Sequence, residues 1–148
     1  MARKKIDKRL NILKNSDVMA RPPRGWIRAI REALGMTTRQ LGKRMGVKQS
    51  TAAGFEKAEV DNGITLGTLE RAAHALDCRL VYALVPRTSL ESQVEERARA
   101  MARMRLQATS HSMALENQRV DEADEREHLK RLVEKLLKKS SSKLWEEQ

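Results

Sequence analysis

Twenty residues, Thr37 to Glu56, read TTRQLGKRMGVKQSTAAGFE and leave little freedom in how they fold. Thr37 and Gln40 have the spacing of a capping box, so a helix starts just after Thr37. Leu41 and Met45 lie four apart and share one face of that helix. Gly46 stands where the chain must turn, because glycine enters the left-handed region without a Cβ clash. Val47 follows as a small apolar plug, and a second helix begins near Gln49 with Ala52 and Phe55 inward. Gly42, four residues before Gly46, stands where two crossing helices need a side chain of minimal size. The plain alternative is an ordinary helical hairpin inside a core.

Gly42, Gly46, Val47 and the run Gln49-Ser50-Thr51 carry a family resemblance. The stretch resembles a helix-turn-helix of the Cro/phage-repressor (XRE) class, in which the second helix lies in the DNA major groove and its first turn touches base edges. The resemblance implies a double-stranded DNA operator as partner. Its readers would be Lys48, Gln49, Ser50 and Thr51, with Ala53 or Gly54 facing the groove. Thr38 and Gln40, at the start of the first helix, complete the DNA-binding set. Thr38 stands where the class usually has Gln, and Gly42 where it usually has Ala.

Charge agrees with a polyanionic partner. The 148 residues carry 30 Lys and Arg against 20 Asp and Glu, a formal net charge of +10. Residues 1–45 hold thirteen basic and three acidic groups, whereas the rest of the chain is balanced. The whole excess therefore lies at and just before the two-helix stretch. A segregated excess of this kind attracts DNA and drives salt-dependent counterion release.

Cys78 is the single cysteine, which excludes an intramolecular disulfide and points to a reducing, cytoplasmic setting. No apolar run approaches the ~20 residues that span a bilayer, so no membrane partner is expected. The basic N-terminus, MARKKIDKRLNILKN, lacks the continuous apolar stretch of a secretory signal. Four aromatics are few for an RNA-binding sheet or a single-strand stacking groove.

Around the central stretch the periodicity is helical. Ile6, Leu10 and Leu13 mark a short basic amphipathic helix, broken before Pro22-Pro23. Trp26, Ile27, Ile30 and Leu34 give the inner side of a further helix ending at Gly35. Thr65 caps another, with a buried stripe of Leu66, Leu69, Ala72, Ala73 and Leu76. Cys78 to Val85, CRLVYALV, is rich in β-branched and aromatic residues and reads as a strand closed by Pro86. It is the one strand signal in the chain, and a lone strand cannot satisfy its backbone groups. The economical solution is pairing with the same strand of a second copy through Leu80, Tyr82 and Leu84, which makes a homodimer. The alternative is an extended segment packed on its own domain. Thr88 and Glu91 form a second capping-box pattern, opening a long helix that Thr109 to Ser112 interrupts or weakens. A last helix carries Leu129, Leu132, Val133, Leu136 and Leu137, followed by an apolar anchor at Leu144-Trp145.

The expected fold is mainly α. Residues 1–20 form a basic N-terminal helix and linker, 21–87 the helix-turn-helix bundle with one short strand paired between copies, and 88–148 a C-terminal helical extension.

Ser112-Met113-Ala114-Leu115-Glu116-Asn117 matches S/T-x-x-x-E-G/N, with Ser112 and Glu116 on one helical face. The pattern resembles the inhibitory helix of antitoxins that silence Fic-domain enzymes. There the glutamate pairs with an arginine that would otherwise hold the ATP γ-phosphate; such a pair is strong and directional. By that resemblance Ser112, Glu116 and Asn117 are toxin-inhibitory, and the partner is a Fic-domain toxin. Most of Arg21 to Asn117 also looks like a small family called mobile mystery protein A, usually encoded beside a Fic-domain protein.

Two functions follow from different classes of partner. One is a dimeric, DNA-binding antitoxin that blocks AMP-transfer by a Fic protein through Glu116. The other is a plain transcriptional regulator whose C-terminal helices serve oligomerisation. An enzyme is not expected: there is no nucleophile–base pair, no metal spacing among His74, His111 and His128, no phosphate-cradling glycine loop, and hence no cofactor.

Overall fold

A computed structural model describes residues 2–15, 17–115, 121–139 and 141–146. They form seven α-helices: α1 (Ala2–Asn11), α2 (Trp26–Ala33), α3 (Thr38–Met45), α4 (Gln49–Val60), α5 (Leu66–Ala75), α6 (Leu90–Leu115) and α7 (Glu122–Lys138). Short 3₁₀ turns at Asp17–Met19 and Ser141–Trp145 complete the regular structure among the described residues. They divide into two compact units, Asn15–Leu84 and a second made of the first 14 residues with Val85–Gln148.

The Asn15–Leu84 unit contains α2 to α5. Its core is Ile27, Leu41, Ala72 and Leu76, with Ile30, Met36, Met45, Phe55 and Leu69 packed around them. Trp26 and Leu34, expected on the inner side of α2, are exposed. Their place on that face goes to Arg31, which is buried and forms an ion pair with Glu56 of α4 through Nε and Nη2. The hydrogen bond that Arg31 donates to the Glu56 carboxylate is the main cause that raises the Arg31 pKa above its usual value, against the opposing effect of burial.

α2 begins at Gly25 with no side-chain cap of its own. Glu59, at the far end of α4 and 3% exposed, supplies one. Its two carboxylate oxygens accept the backbone N–H groups of Trp26 (2.8 Å) and Ile27 (2.9 Å). An anion at a helix N-terminus satisfies open donors and the helix dipole together. Gly25 has φ of +85°, and a Cβ there would lie 2.7 Å from Glu59 Oε1. Arg21 then holds the end of α4 by donating to the carbonyls of Glu59 and Val60 and to Asn62 Oδ1.

The expected strand at Cys78 to Val85 is not present, and the described residues contain no strand. A ladder needs a second extended segment, and none of the described residues provides one. Leu80 is half-buried, but Tyr82 is 69% and Leu84 88% exposed. The apolar content that suggested a strand instead lines an apolar cleft of about 270 Å³, where Leu80 and Val81 meet Met19, Trp26, Leu69 and Cys78.

The second unit has a core of its own. Val94, Ala98, Met101 and Ala102 of α6 pack on Leu136 of α7 and on Leu144, which is 1% exposed; Leu129, Leu132, Val133 and Leu137 complete it. Arg97 Nε donates to the Leu144 carbonyl and anchors the terminal turn. α6 runs without interruption through Thr109 to Leu115. Thr109 Oγ1 donates to the Arg105 carbonyl, so its hydroxyl is absorbed by the helix instead of breaking it. Nor does a Thr88–Glu91 capping box open α6. Ser89 Oγ accepts from Ser92 N–H, and Asp7 of α1 accepts the N–H groups of Leu90 and Glu91. Arg3 pairs with Glu91 at 3.2 Å, so side chains of both signs tie α1 to α6. No helix among the described residues is long and apolar enough to cross a membrane.

Candidate nucleic-acid interface

The helix–turn–helix stretch owes its geometry to local chemistry. Thr37 Oγ1 accepts from Gln40 N–H and Gln40 Oε1 accepts from Thr37 N–H, a reciprocal capping box that starts α3. Gly46 ends it at φ of +70°, in the left-handed region. Gly42 allows the turn to close. A Cβ on it would meet the Val47 carbonyl oxygen at 2.9 Å, and Val47 N–H donates to the Gly42 carbonyl. The close approach is thus to the backbone of the turn.

α4 is amphipathic in a way that leaves its first turn free. Ala52 is buried and Phe55 half-buried toward the core, while Glu56 and Glu59 are consumed by Arg31 and by the start of α2. Lys48, Gln49, Ser50, Thr51, Ala53 and Gly54 are all exposed. No side chain caps the N-terminus of α4, where Lys48 is the N-cap residue in an extended conformation. Open N–H groups and the positive end of the helix dipole face solvent there, which suits contact with phosphate.

Two shallow clefts flank this helix. The first gathers Gln40, Lys48 and Gln49 with Arg39 and Lys43 of α3 and with Val47. The second gathers Thr38 and Ala53 with Arg24, Arg28 and Lys57. Each brings sequence-derived positions together with cations that the motif spacing does not mark. Of these, Arg28 is shared with Glu32 in an i,i+4 pair at 2.8 Å. Arg44 faces elsewhere and donates to the Ala75 carbonyl. Gln40 has its side-chain oxygen engaged in the cap, so its amide NH₂ is the group left for a ligand.

The remaining sequence-derived positions lie elsewhere. Leu80, Tyr82 and Leu84 are in the segment after α5. Ser112 is on α6, and Glu116 and Asn117 lie outside the described residues. No group of His, Cys, Asp and Glu among the described residues is arranged to hold a metal ion.

Residues 27–82 match a helix-turn-helix family, so this part of the chain is a helix-turn-helix domain. Among curated proteins the chain is similar to Antitoxin HigA1 of Mycobacterium tuberculosis, in strain CDC 1551 and in strain H37Rv. Identity is 46% over 52 residues, covering 35% of this chain and 34% of each relative. The chain thus spans about a third of the length of the curated relatives it matches. No solved structure matches the chain significantly.

Proposed function

We propose that this chain is a DNA-binding antitoxin that acts as a transcriptional repressor. The observation that carries the reading is the bare first turn of α4, set between two cationic clefts. Gln49 and Ser50 read base edges, Lys48 and Thr51 flank them, and Arg39, Lys43, Arg24 and Lys57 hold phosphates. Phosphate contacts supply position and affinity; base contacts supply sequence discrimination. Replacing Gln49 and Ser50 together with Ala should therefore weaken operator binding by about 1–3 kcal/mol for each base reader removed. Binding to shuffled DNA should persist. Retained discrimination in a gel-shift titration of the double variant would show that α4 is not the reader.

The reading extends to a homodimer. Val81, Tyr82 and Leu84 present an exposed apolar run beside the apolar cleft at α2 and α5. Contiguous exposed apolar surface of this kind marks interaction sites. A two-fold dimer joined through Leu80, Tyr82 and Leu84 would place two copies of α4 on half-sites about one helical turn apart.

The toxin side of the reading rests on the Ser112 to Asn117 motif, on the resemblance to a family usually encoded beside a Fic-domain protein, and on the partial likeness to an antitoxin. Glu116 is proposed to take the arginine that a Fic enzyme uses to hold ATP, with Ser112 and Asn117 supporting it. Co-expression of the adjacent Fic protein with Glu116→Gly should release AMP-transfer while the two proteins still co-purify. Full inhibition by the variant would remove this mechanism and leave a plain XRE-type regulator. The neighbouring gene separates the two readings at once: a Fic reading frame favours the first, an unrelated operon the second.

A further inference from the structure

The most concentrated positive charge outside the helix-turn-helix domain sits on α1. At 100° per residue, Lys4, Lys5, Lys8 and Arg9 fall within an arc of about 140°. All four are exposed. The opposite side of the helix carries Arg3, Ile6, Asp7 and Leu10. Arg3 and Asp7 fasten that side to the start of α6, through Glu91 and through the N–H groups of Leu90 and Glu91. None of the four outward cations has a carboxylate partner among the described residues. The one acid of the helix, Asp7, is already committed to α6. A docked helix thus displays two rows of cations, Lys4 with Lys8 and Lys5 with Arg9, each pair about 6 Å apart along the axis.

We propose that this face of α1 is a second DNA contact, which grips the phosphate backbone of the duplex read by α4. The proposal rests on the DNA-binding reading above and adds a surface that reading does not contain. Duplex DNA offers a negative charge every ~1.7 Å of its axis, so a rigid 6 Å cation row meets phosphates without any sequence requirement. Lysine suits that role as a flexible point charge on a long stem. Only the chain from Ile12 to Gly25 separates α1 from α2. Once the helix-turn-helix domain is seated, that short tether keeps α1 at high effective concentration near the same duplex. DNA is favoured over an acidic protein because these four cations belong to the same N-terminal excess that continues into α3, and Ile12, just beyond the helix, is the one exposed large apolar side chain on that side among the described residues, too little for the apolar core of a protein interface.

The test is the salt dependence of binding by the full chain. Fluorescence anisotropy would follow a labelled operator, selected from a random duplex pool by the wild type, and poly(dA–dT) as the non-operator. The variant Lys4→Gln/Lys5→Gln/Lys8→Gln/Arg9→Gln should flatten the slope of log K against log salt by about 0.9 for each phosphate no longer neutralised, and by about 1.8 or more in total. Affinity for both duplexes should fall by the same factor, with discrimination unchanged. The charge-preserving variant Lys4→Arg/Lys5→Arg/Lys8→Arg should keep the wild-type slope, which separates loss of charge from loss of folding. An unchanged slope in the neutralised variant overturns the proposal. So does a loss confined to an acidic partner protein or to anionic vesicles. Failure of the wild type to bind any duplex would instead refute the DNA-binding reading itself.

Discussion

Glu59→Ala is the substitution that most directly tests how the helix-turn-helix domain is held together. The carboxylate accepts two backbone N–H groups at the start of α2, one of them fully buried, from a side chain that is itself 3% exposed. A hydrogen bond to a charged group contributes about 1.5–3 kcal/mol, and ordinary helix caps about 0.5–2 kcal/mol. Removing both bonds at once costs roughly 3–4 kcal/mol. A unit the size of Asn15–Leu84 has a total stability of roughly 4–10 kcal/mol. The cost is therefore a third of it or more, and corresponds to a fall in Tm of roughly 12–30 °C. Trp26 adjoins the site and Trp145 is the only other tryptophan, so fluorescence melts in a Trp145→Phe background report on α2 specifically. Glu59→Gln keeps the shape and one acceptor but not the charge, and should show about half the effect. A fall below about 4 °C for Glu59→Ala would refute the idea that α4 caps α2.

Other outcomes follow from the same packing. Gly42→Ala drives a Cβ against the Val47 carbonyl and should cost about 1–3 kcal/mol, whereas Gly54→Ala, with nothing within 4 Å of its Cβ, should stabilise by about 0.5–1 kcal/mol; denaturant titrations measure both. Arg31→Met leaves Glu56 buried without its partner and should cost about 3–5 kcal/mol, most of it recovered by adding Glu56→Leu; failure of the double variant to recover would mean that the pair also shapes the turn through the Met36 carbonyl, to which Arg31 Nη1 donates. Tyr82→Asp should shift a dimer toward monomer in light scattering and weaken operator binding in parallel, and an unchanged mass would count against dimerisation through this segment.

What the sequence reveals about this protein depends on how far a residue's partner lies along the chain. Thr37 and Gln40 cap each other across three residues, and Gly46 turns the chain on its own account, so both were legible from spacing. Glu59 and Glu56 were not. Written in a row as GFEKAEV they have the look of the solvated side of a helix, and only the fold brings them to Arg31 and to the start of α2, 25 to 33 residues away. The start of α6 shows the same limit, since the motif Thr88 to Glu91 is displaced by Asp7, 83 residues distant from Leu90. The strand failed for another reason. β-propensity reports fitness for a pleated, half-buried surface, and the pattern at Cys78 to Val85 is satisfied equally by an apolar segment that half-buries Leu80 at a cleft and leaves Val81, Tyr82 and Leu84 exposed.

Charge illustrates the difference between counting groups and finding which of them are available. The N-terminal excess suggested a polyanion, but several of its members have structural duties. Arg31 is neutralised by Glu56, Arg28 is shared with Glu32, and Arg3 is held by Glu91. Arg21 and Arg44 keep their charge, yet their guanidinium groups are turned onto backbone carbonyls of the domain. Apart from Lys14, just beyond α1, the cations left facing solvent sort into two groups, Arg24, Arg39 and Lys43 at the clefts beside α4, and Lys4, Lys5, Lys8 and Arg9 on the outer side of α1. The first group lies within reach of the same backbone that α4 would straddle. The second has no carboxylate partner among the described residues and a helix that is fixed in place at its back. A positive surface retained only for solubility would not require Asp7 and Arg3 to pin that helix down, because a solvated charge works as well on a loose tail. Fixed orientation gains something only when the charges must meet a ligand in register, and a regular array of phosphates is such a ligand.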